Sequence, residues 1–311
     1  TPRWDTDYLN TLASIVQAEG LEDGFGQAIW GGGDINGDGY ADLLIGAPKK
    51  TVNGKLEAGR VYVILGRKID VSNSLGRRNV NPNSGGGSHG PIRLSDLQSS
   101  FDLSGYDPTD PQESIYGFYI DGQNAYDRLG TAVHTGVNIN GDTAVVNANN
   151  PINLAATKNI HISEFLIGAP GVLNNKGKVS IYSFNKNNKV VALAKELQGE
   201  QEGDGYGSAI IGLGDITNDL NRGQVKCDEF AISAPGNNTT GIDAGAVYVY
   251  LGRTDLNITD YYIALYGQNS GDQFGFALAD VGNVDNDEYN NNDLAVSSIY
   301  NSNNGHNSGR V

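Results

Sequence analysis

The chain has 311 residues, of which 43 are Gly and 35 are Asn, two residue types that tolerate positive φ and fill turns. Hydrophobic residues make up 38%, enough for a core but without the Ala/Glu/Lys/Leu-rich stretches of long helices; a helical bundle, a coiled coil and a disordered chain are excluded. The formal charge of −15 sets the chain against nucleic acid and anionic membrane surfaces and suits it to cations.

Cys227 is the single cysteine, so neither an internal disulfide framework nor a cysteine-rich zinc site is available. No Met is present and the sequence opens on Thr1-Pro2, which reads as a trimmed or mature product. No apolar run reaches the roughly 18–20 residues of a membrane helix, so no membrane insertion is expected of this segment.

In chain order, the first element is Phe25-Gly26 followed nine residues on by Asp34, a polar cluster, and the strand-like run Leu43-Leu44-Ile45-Gly46-Ala47-Pro48. A second strand signal comes next in Arg60-Val61-Tyr62-Val63-Ile64. The pattern then recurs. Leu129-Gly130 leads to Asn138, to Phe165-Leu166-Ile167-Gly168-Ala169-Pro170 and to Lys178-Val179-Ser180-Ile181-Tyr182. Tyr206-Gly207 leads to Asp215, to Phe230-Ala231-Ile232-Ser233-Ala234-Pro235 and to Ala246-Val247-Tyr248-Val249-Tyr250. Phe274-Gly275 leads to Asn283, to Leu294-Ala295-Val296-Ser297-Ser298 and to Gly309-Arg310-Val311.

The spacing of nine is constant in all four copies, which marks an internal repeat. The repeats fall at about 15–66, 115–184, 197–252 and 263–311 within one domain covering 1–311. Two insertions, 67–115 and 143–163, are expected to be surface loops because they leave the repeat order intact. Four short strands per copy fit an all-β fold, a β-propeller of four-stranded antiparallel blades. A β-solenoid or an irregular sandwich is the alternative.

The polar clusters read as cation loops. Asp34, Asn36, Asp38 and Asp42 put oxygens at positions 1, 3, 5 and 9, Gly39 at position 6 permits a sharp turn, and the Tyr40 carbonyl can add a ligand. Calcium takes 6–8 hard oxygens, and three carboxylates balance its charge. An EF-hand would place Glu at position 12, where Ile45 stands instead, so the loop closes at position 9 and runs into a strand. Copy two offers Asn138, Asn140, Asp142 and, after eighteen inserted residues, Glu164. Copy three offers Asp215, Thr217, Asp219 and, after six, Glu229. Copy four offers Asn283, Asp285, Asp287 and, after two, Asp293. Charge count and loop rigidity together rank copy one first and copy two last among up to four Ca²⁺ sites. Polar turns without metal are the plainer reading.

Phe-Gly, the Asp-x-Asn-x-Asp-Gly-x-x-Asp loop and Gly-Ala-Pro together resemble the FG-GAP repeat. The chain is similar to the N-terminal β-propeller of integrin α subunits and to bacterial, cyanobacterial-type, integrin-like surface proteins. Ile92-Arg93-Leu94-Ser95-Asp96-Leu97 is similar to linkers between such repeats. The resemblance implies a seven-bladed ring with calcium in hairpin loops on one face and partner-binding loops on the other. It departs from the family in showing four copies, and in Ser298-Ile299 standing where Ala-Pro is expected.

No His-Glu-x-x-His, nucleophile-elbow or Walker pattern is present, and His89, His134, His161 and His306 share no metal-ligand spacing. No catalysis is expected. Sequons stand at Asn237, Asn238 and Asn257. The reading is an extracellular or cell-surface calcium-binding propeller for adhesion, recognition or assembly. Its partners would be a surface protein or polysaccharide, copies of itself included. Two alternatives stay open: a structural subunit of a sheath or filament, and a non-catalytic module attached to an extracellular hydrolase or lyase.

Overall fold

A computed structural model describes residues 20–66, 117–146, 158–217, 226–285 and 292–311, with Leu94, Leu97, Ser99 and Leu103 from the first insertion. The candidate ligands Asp219 and Asp287, His89 and the start of the first repeat at 15 lie outside the described residues. The first sheet runs β1 (Ala28–Gly33), β2 (Asp42–Ala47), β3 (Arg60–Ile64) and β4 (Gly117–Asp121). The second is built from β5 (Ala132–Val137), β8 (Glu164–Ala169), β9 (Lys178–Asn185) and β10 (Val190–Gln198). Between them in sequence, β6 (Thr143–Val146) and β7 (Lys158–His161) form a separate ribbon. The third sheet is β11 (Ile210–Gly214), β12 (Glu229–Ala234), β13 (Ala246–Tyr250) and β14 (Ile263–Tyr266). A fourth begins with β15 (Phe274–Asp280) and β16 (Leu294–Ser298).

All pairings within the sheets are antiparallel, and each complete sheet orders its strands as the chain lays them down. The fold is therefore all-β, with three complete four-stranded blades and two strands of a fourth. The second and third blades bury their two faces against different neighbours. Leu44, Val61, Val63 and Phe118 of the first blade pack with Val133, Phe165 and Ile167 of the second. Leu166, Val179 and Ile181 of the second pack with Ile210, Phe230 and Ile232 of the third. Ala231, Val247 and Val249 of the third pack with Leu278, Leu294 and Val296 of the fourth. Adjacent residues of one strand thus enter different cores, because side chains alternate across a strand. This is why β8 and β12 are buried along their whole length.

The Phe-Gly and Gly-Ala-Pro motifs form the seam between blades. In the three complete blades the glycine of Phe25-Gly26, Leu129-Gly130 and Tyr206-Gly207 donates its N–H within its own blade: Gly26 to the Gly46 carbonyl, Gly130 to Gly168 and Gly207 to Ser233, each at 2.9 Å. The carbonyl of Gly130 also lies against Gly46 of the preceding blade, and that of Gly207 against Gly168; a Cβ on Gly46 or Gly168 would collide with it. The glycine of Gly-Ala-Pro is therefore a close-approach residue.

The insertions are only partly surface loops. Leu94 and Leu97 are buried against Ile45, Ala47, Tyr62 and Ile64, on the face of the first blade turned away from the second. Their i, i+3 spacing puts both on one side of a short turn. Residues 143–146 and 158–161 pair as the β6–β7 ribbon. The blades are also offset from the sequence repeats, since β4 falls inside the span 115–184 and β14 inside 263–311.

Candidate metal loops

The first strand of each complete blade ends in the same irregularity. Register shifts fall between Gly31 and Gly33, between Thr135 and Val137, and between Gly212 and Gly214. Such a bulge bends the strand and re-aims the residues after it. Those residues begin with Asp34, Asn138 and Asp215, the first positions of the polar clusters.

The loops close in one common way. The N–H of the apolar residue at position 2 donates to the carboxylate read as the last ligand. Ile35 reaches Asp42 at 2.7 Å, Ile139 reaches Glu164 at 2.7 Å, Ile216 reaches Glu229 at 2.8 Å and Val284 reaches Asp293 at 2.8 Å. The structure therefore brings all four closing acids onto their loops, whatever the length of the insertion between. Asp42, Glu164 and Glu229 are buried, which explains their bonding to backbone donors: a buried carboxylate needs partners.

Loop one is tightly hydrogen bonded. Asp34 accepts the N–H groups of Asp38 at 3.1 Å and Gly39 at 2.7 Å. Asp38 accepts from Tyr40 N–H at 2.8 Å and from the Asn36 amide at 2.9 Å. Asp42 accepts from both Ile35 and Gly66, each at 2.7 Å. Burial raises the pKa of Asp34 and, much further, that of Asp42. Asp38 and Asp34 repel Asp42 and add to the rise. The Tyr40 hydroxyl is buried without a hydrogen-bond partner.

Loop two is built differently. Glu164 Oε2 accepts from Ile139 at 2.7 Å, and Asn140 Oδ1 accepts from Asp142 N–H at 2.8 Å. Three further oxygens, Asn138 Oδ1, Asp142 Oδ1 and Glu164 Oε1, are buried with no hydrogen-bond partner. Burial, reinforced by Asp142, pushes Glu164 up to about 8. Orphaned buried acceptors are costly, and a divalent cation would satisfy them, so the donor set of loop two fits a metal. In loop three, Thr217 N–H donates to Glu229 at 3.2 Å. In loop four, Asp285 N–H donates to Asp293 at 3.3 Å, while Asn283 holds the first loop position. Among the described residues, no three His, Cys, Asp or Glu side chains already converge as a finished metal position.

Several neighbours of these loops belong to no motif of the repeat. Ser163 joins loop one to the next blade, donating its N–H to the Asp34 carbonyl at 2.8 Å while its Oγ accepts from Asp34 N–H at 3.2 Å. Asp228 accepts the Asn138 N–H at 2.9 Å across the next seam. His161 Nδ1 lies 2.7 Å from the Asn138 side-chain amide. Ser163 and Asp228 each precede a closing acid, and that position is the one signal by which the sequence marks them.

At the opposite ends of the strands, Gln27, Thr131, Ser208, Pro48, Pro170 and Pro235 line a cavity of about 640 Å³. They come from the aromatic-Gly and Ala-Pro motifs of three blades, so the repeat places them together away from the metal loops.

Comparison with known proteins bears on this architecture. Residues 25–64 match the FG-GAP repeat, the stretch that holds β1, loop one, β2 and β3. The chain is 30% identical over 126 residues to mouse integrin alpha-11, covering 40% of this chain and 10% of that protein. It is 31% identical over 133 residues to Drosophila integrin alpha-PS5, covering 42% of this chain and 12% of that one. The matched region is thus about a tenth of these relatives' length. The blade architecture is that of a β-propeller with an FG-GAP repeat in its first blade, and in sequence the chain is similar to integrin α subunits.

Proposed function

We propose that the chain is a calcium-stabilised extracellular propeller that works in adhesion, recognition or assembly at a cell surface. The observation that carries the calcium reading is the common closure of four Asx-rich loops by a carboxylate. Loop two adds three buried oxygens without a hydrogen-bond partner, which a cation would satisfy. Calcium, when bound, supplies a hard positive centre for these oxygens. The protein's part is to hold Asp34, Asn36, Asp38 and Asp42, and their counterparts, on turns fixed by the sheet beneath. Binding to the folded state alone then stabilises the blades.

The adhesion reading is supported by the likeness to integrin α chains, and by a strand-end surface opposite the metal loops whose cavity lining repeats from blade to blade. Its partner would be a protein or polysaccharide of the cell surface, copies of this chain included. Charge argues against nucleic acid, and no described helix is long and apolar enough to cross a membrane. The proposed role is binding, without catalysis.

The test is a thermal melt in millimolar calcium and then in excess EGTA. A large fall in Tm with EGTA, restored by calcium and poorly by magnesium, is the expected outcome. An unchanged Tm would sink the calcium reading.

A further inference from the structure

Loop two differs from loop one in having a nitrogen donor beside it. The β6–β7 ribbon leaves the loop directly after Asp142 and pairs Thr143 with His161. The returning strand therefore brings His161 back to the loop mouth. Its Nδ1 lies 2.7 Å from the Asn138 side chain, whose amide also donates to the Asp142 carbonyl at 3.0 Å. His161 is exposed, so an ion can reach it from solvent.

Loop two has two carboxylates, Asp142 and Glu164, against three in loop one. Glu164 Oε2 is occupied by Ile139 N–H, and Asn140 Oδ1 by Asp142 N–H. The oxygens that accept no hydrogen bond are Asn138 Oδ1, Asp142 Oδ1 and Glu164 Oε1, all buried. Glu164 is fully buried and reaches into the loop. With His161 Nδ1 the set is three oxygens and one nitrogen, carrying two carboxylates. Calcium asks for six to eight oxygens, whereas zinc takes four donors and accepts imidazole. Imidazole also shifts preference toward the later divalent transition ions.

We propose that loop two, together with His161, is a mixed nitrogen–oxygen site for a zinc-class divalent ion rather than a fourth calcium site. This rests on the reading that loop two takes a cation at all. Asp142, Glu164 and His161 do not yet converge on one point, so binding closes the loop: the imidazole leaves the Asn138 amide and turns its nitrogen onto the ion. The β6–β7 ribbon is then tied to the second blade through the metal.

The test is metal partitioning on the full chain. The protein is stripped with chelator, dialysed against equimolar calcium and zinc, and its metal content measured by mass spectrometry. Wild type is expected to retain one zinc per chain. His161→Ala and Glu164→Gln should each weaken zinc binding by more than the roughly 10- to 100-fold that loss of an outer-shell partner costs. His306→Ala should behave as wild type. The metal-free melt of His161→Ala should match wild type, which separates a lost ligand from a lost fold. Cobalt offers a second readout: its visible spectrum should change in His161→Ala. Zinc retained undiminished in His161→Ala overturns the proposal. Calcium retained without zinc in wild type overturns it too, while leaving the calcium reading intact. Neither ion retained defeats both.

Discussion

The N–H of Ile139 donates to Glu164 Oε2 at 2.7 Å, across 25 residues of chain. The same bond recurs from Ile35 to Asp42, from Ile216 to Glu229 and from Val284 to Asp293. It closes each loop before any ion arrives, so the carboxylate has a structural task as well as a ligand's. The two tasks can be separated. Glu164→Gln keeps an acceptor for the Ile139 N–H, whereas Glu164→Ala leaves that buried donor unmade and opens a void. Glu164→Ala is expected to cost about 2–4 kcal/mol in denaturant unfolding, and Glu164→Gln about 1 kcal/mol or less in metal-free buffer. Equal losses for the two would show that the hydrogen bond does not close the loop.

That bond also shows how far the sequence is legible. The closing acids stand directly before an apolar strand, so Glu164 and Glu229 are identifiable across insertions of eighteen and six residues. The aromatic-Gly and Gly-Ala-Pro runs are equally legible, because they sit in a seam where only small residues fit. The outer strands are not. β4 and β14 lie at blade edges, carry no seam glycine, and so begin the next sequence repeat by position although they end the previous blade. His161 stands isolated in the sequence because its relation to loop two passes through the β6–β7 pairing, which the polar insertion does not announce. The Asp two residues before each aromatic-Gly pair is a further regularity of the repeat: Asp127, Asp204 and Asp272 each accept a main-chain N–H from Asn124, Gln201 or Asn269.

His134 gives an acid-stability prediction. Its Nε2 accepts the Gly212 N–H at 2.9 Å, linking β5 to β11, and its ring lies 4.3 Å from that of Trp30. Burial lowers its pKa from 6.5 to about 3. A histidine with a depressed folded pKa contributes stability above its unfolded pKa, and that contribution is lost as pH falls toward the folded one. The window is therefore pH 6.5 down to about 3, with up to roughly 3–5 kcal/mol at stake. Stability measured by urea titration should fall through this window, and His134→Gln, which keeps an acceptor but cannot ionise, should flatten the fall. An identical pH profile in the variant would remove His134 from the explanation.

The blade seam predicts a sharp positional contrast among glycines. A Cβ on Gly46 would strike the Gly130 carbonyl, and one on Gly168 the Gly207 carbonyl. Neither obstacle is a flexible side chain, so the blades must move apart. Gly46→Ala and Gly168→Ala are each expected to cost about 2–4 kcal/mol. Gly31→Ala is the control, because a Cβ there meets its neighbours at an ordinary 3.6 Å; it should fall within about 0.5 kcal/mol of wild type. Comparable melts for all three would refute the close-approach account of Gly-Ala-Pro.

Loop one separates calcium affinity from fold stability by the burial of two carboxylates. Asp42 is buried and both of its oxygens accept main-chain N–H groups, from Ile35 and Gly66. An amide at this position must turn its NH₂ toward one of those donors. Asp42→Asn should therefore lose about 1–3 kcal/mol even without metal. Asp38 is only partly buried, and its oxygens serve Tyr40 N–H and the Asn36 amide within the same loop. Asp38→Asn should leave the metal-free melt within about 1 kcal/mol of wild type, yet it removes one of three charges that would balance calcium. At calcium one hundred times the wild-type Kd, a single site adds about 2.7 kcal/mol. Asp38→Asn should forfeit most of that increment while keeping its metal-free stability. If calcium still raises the stability of Asp38→Asn as much as that of wild type, loop one is a hydrogen-bonded turn and the stabilising ion binds elsewhere.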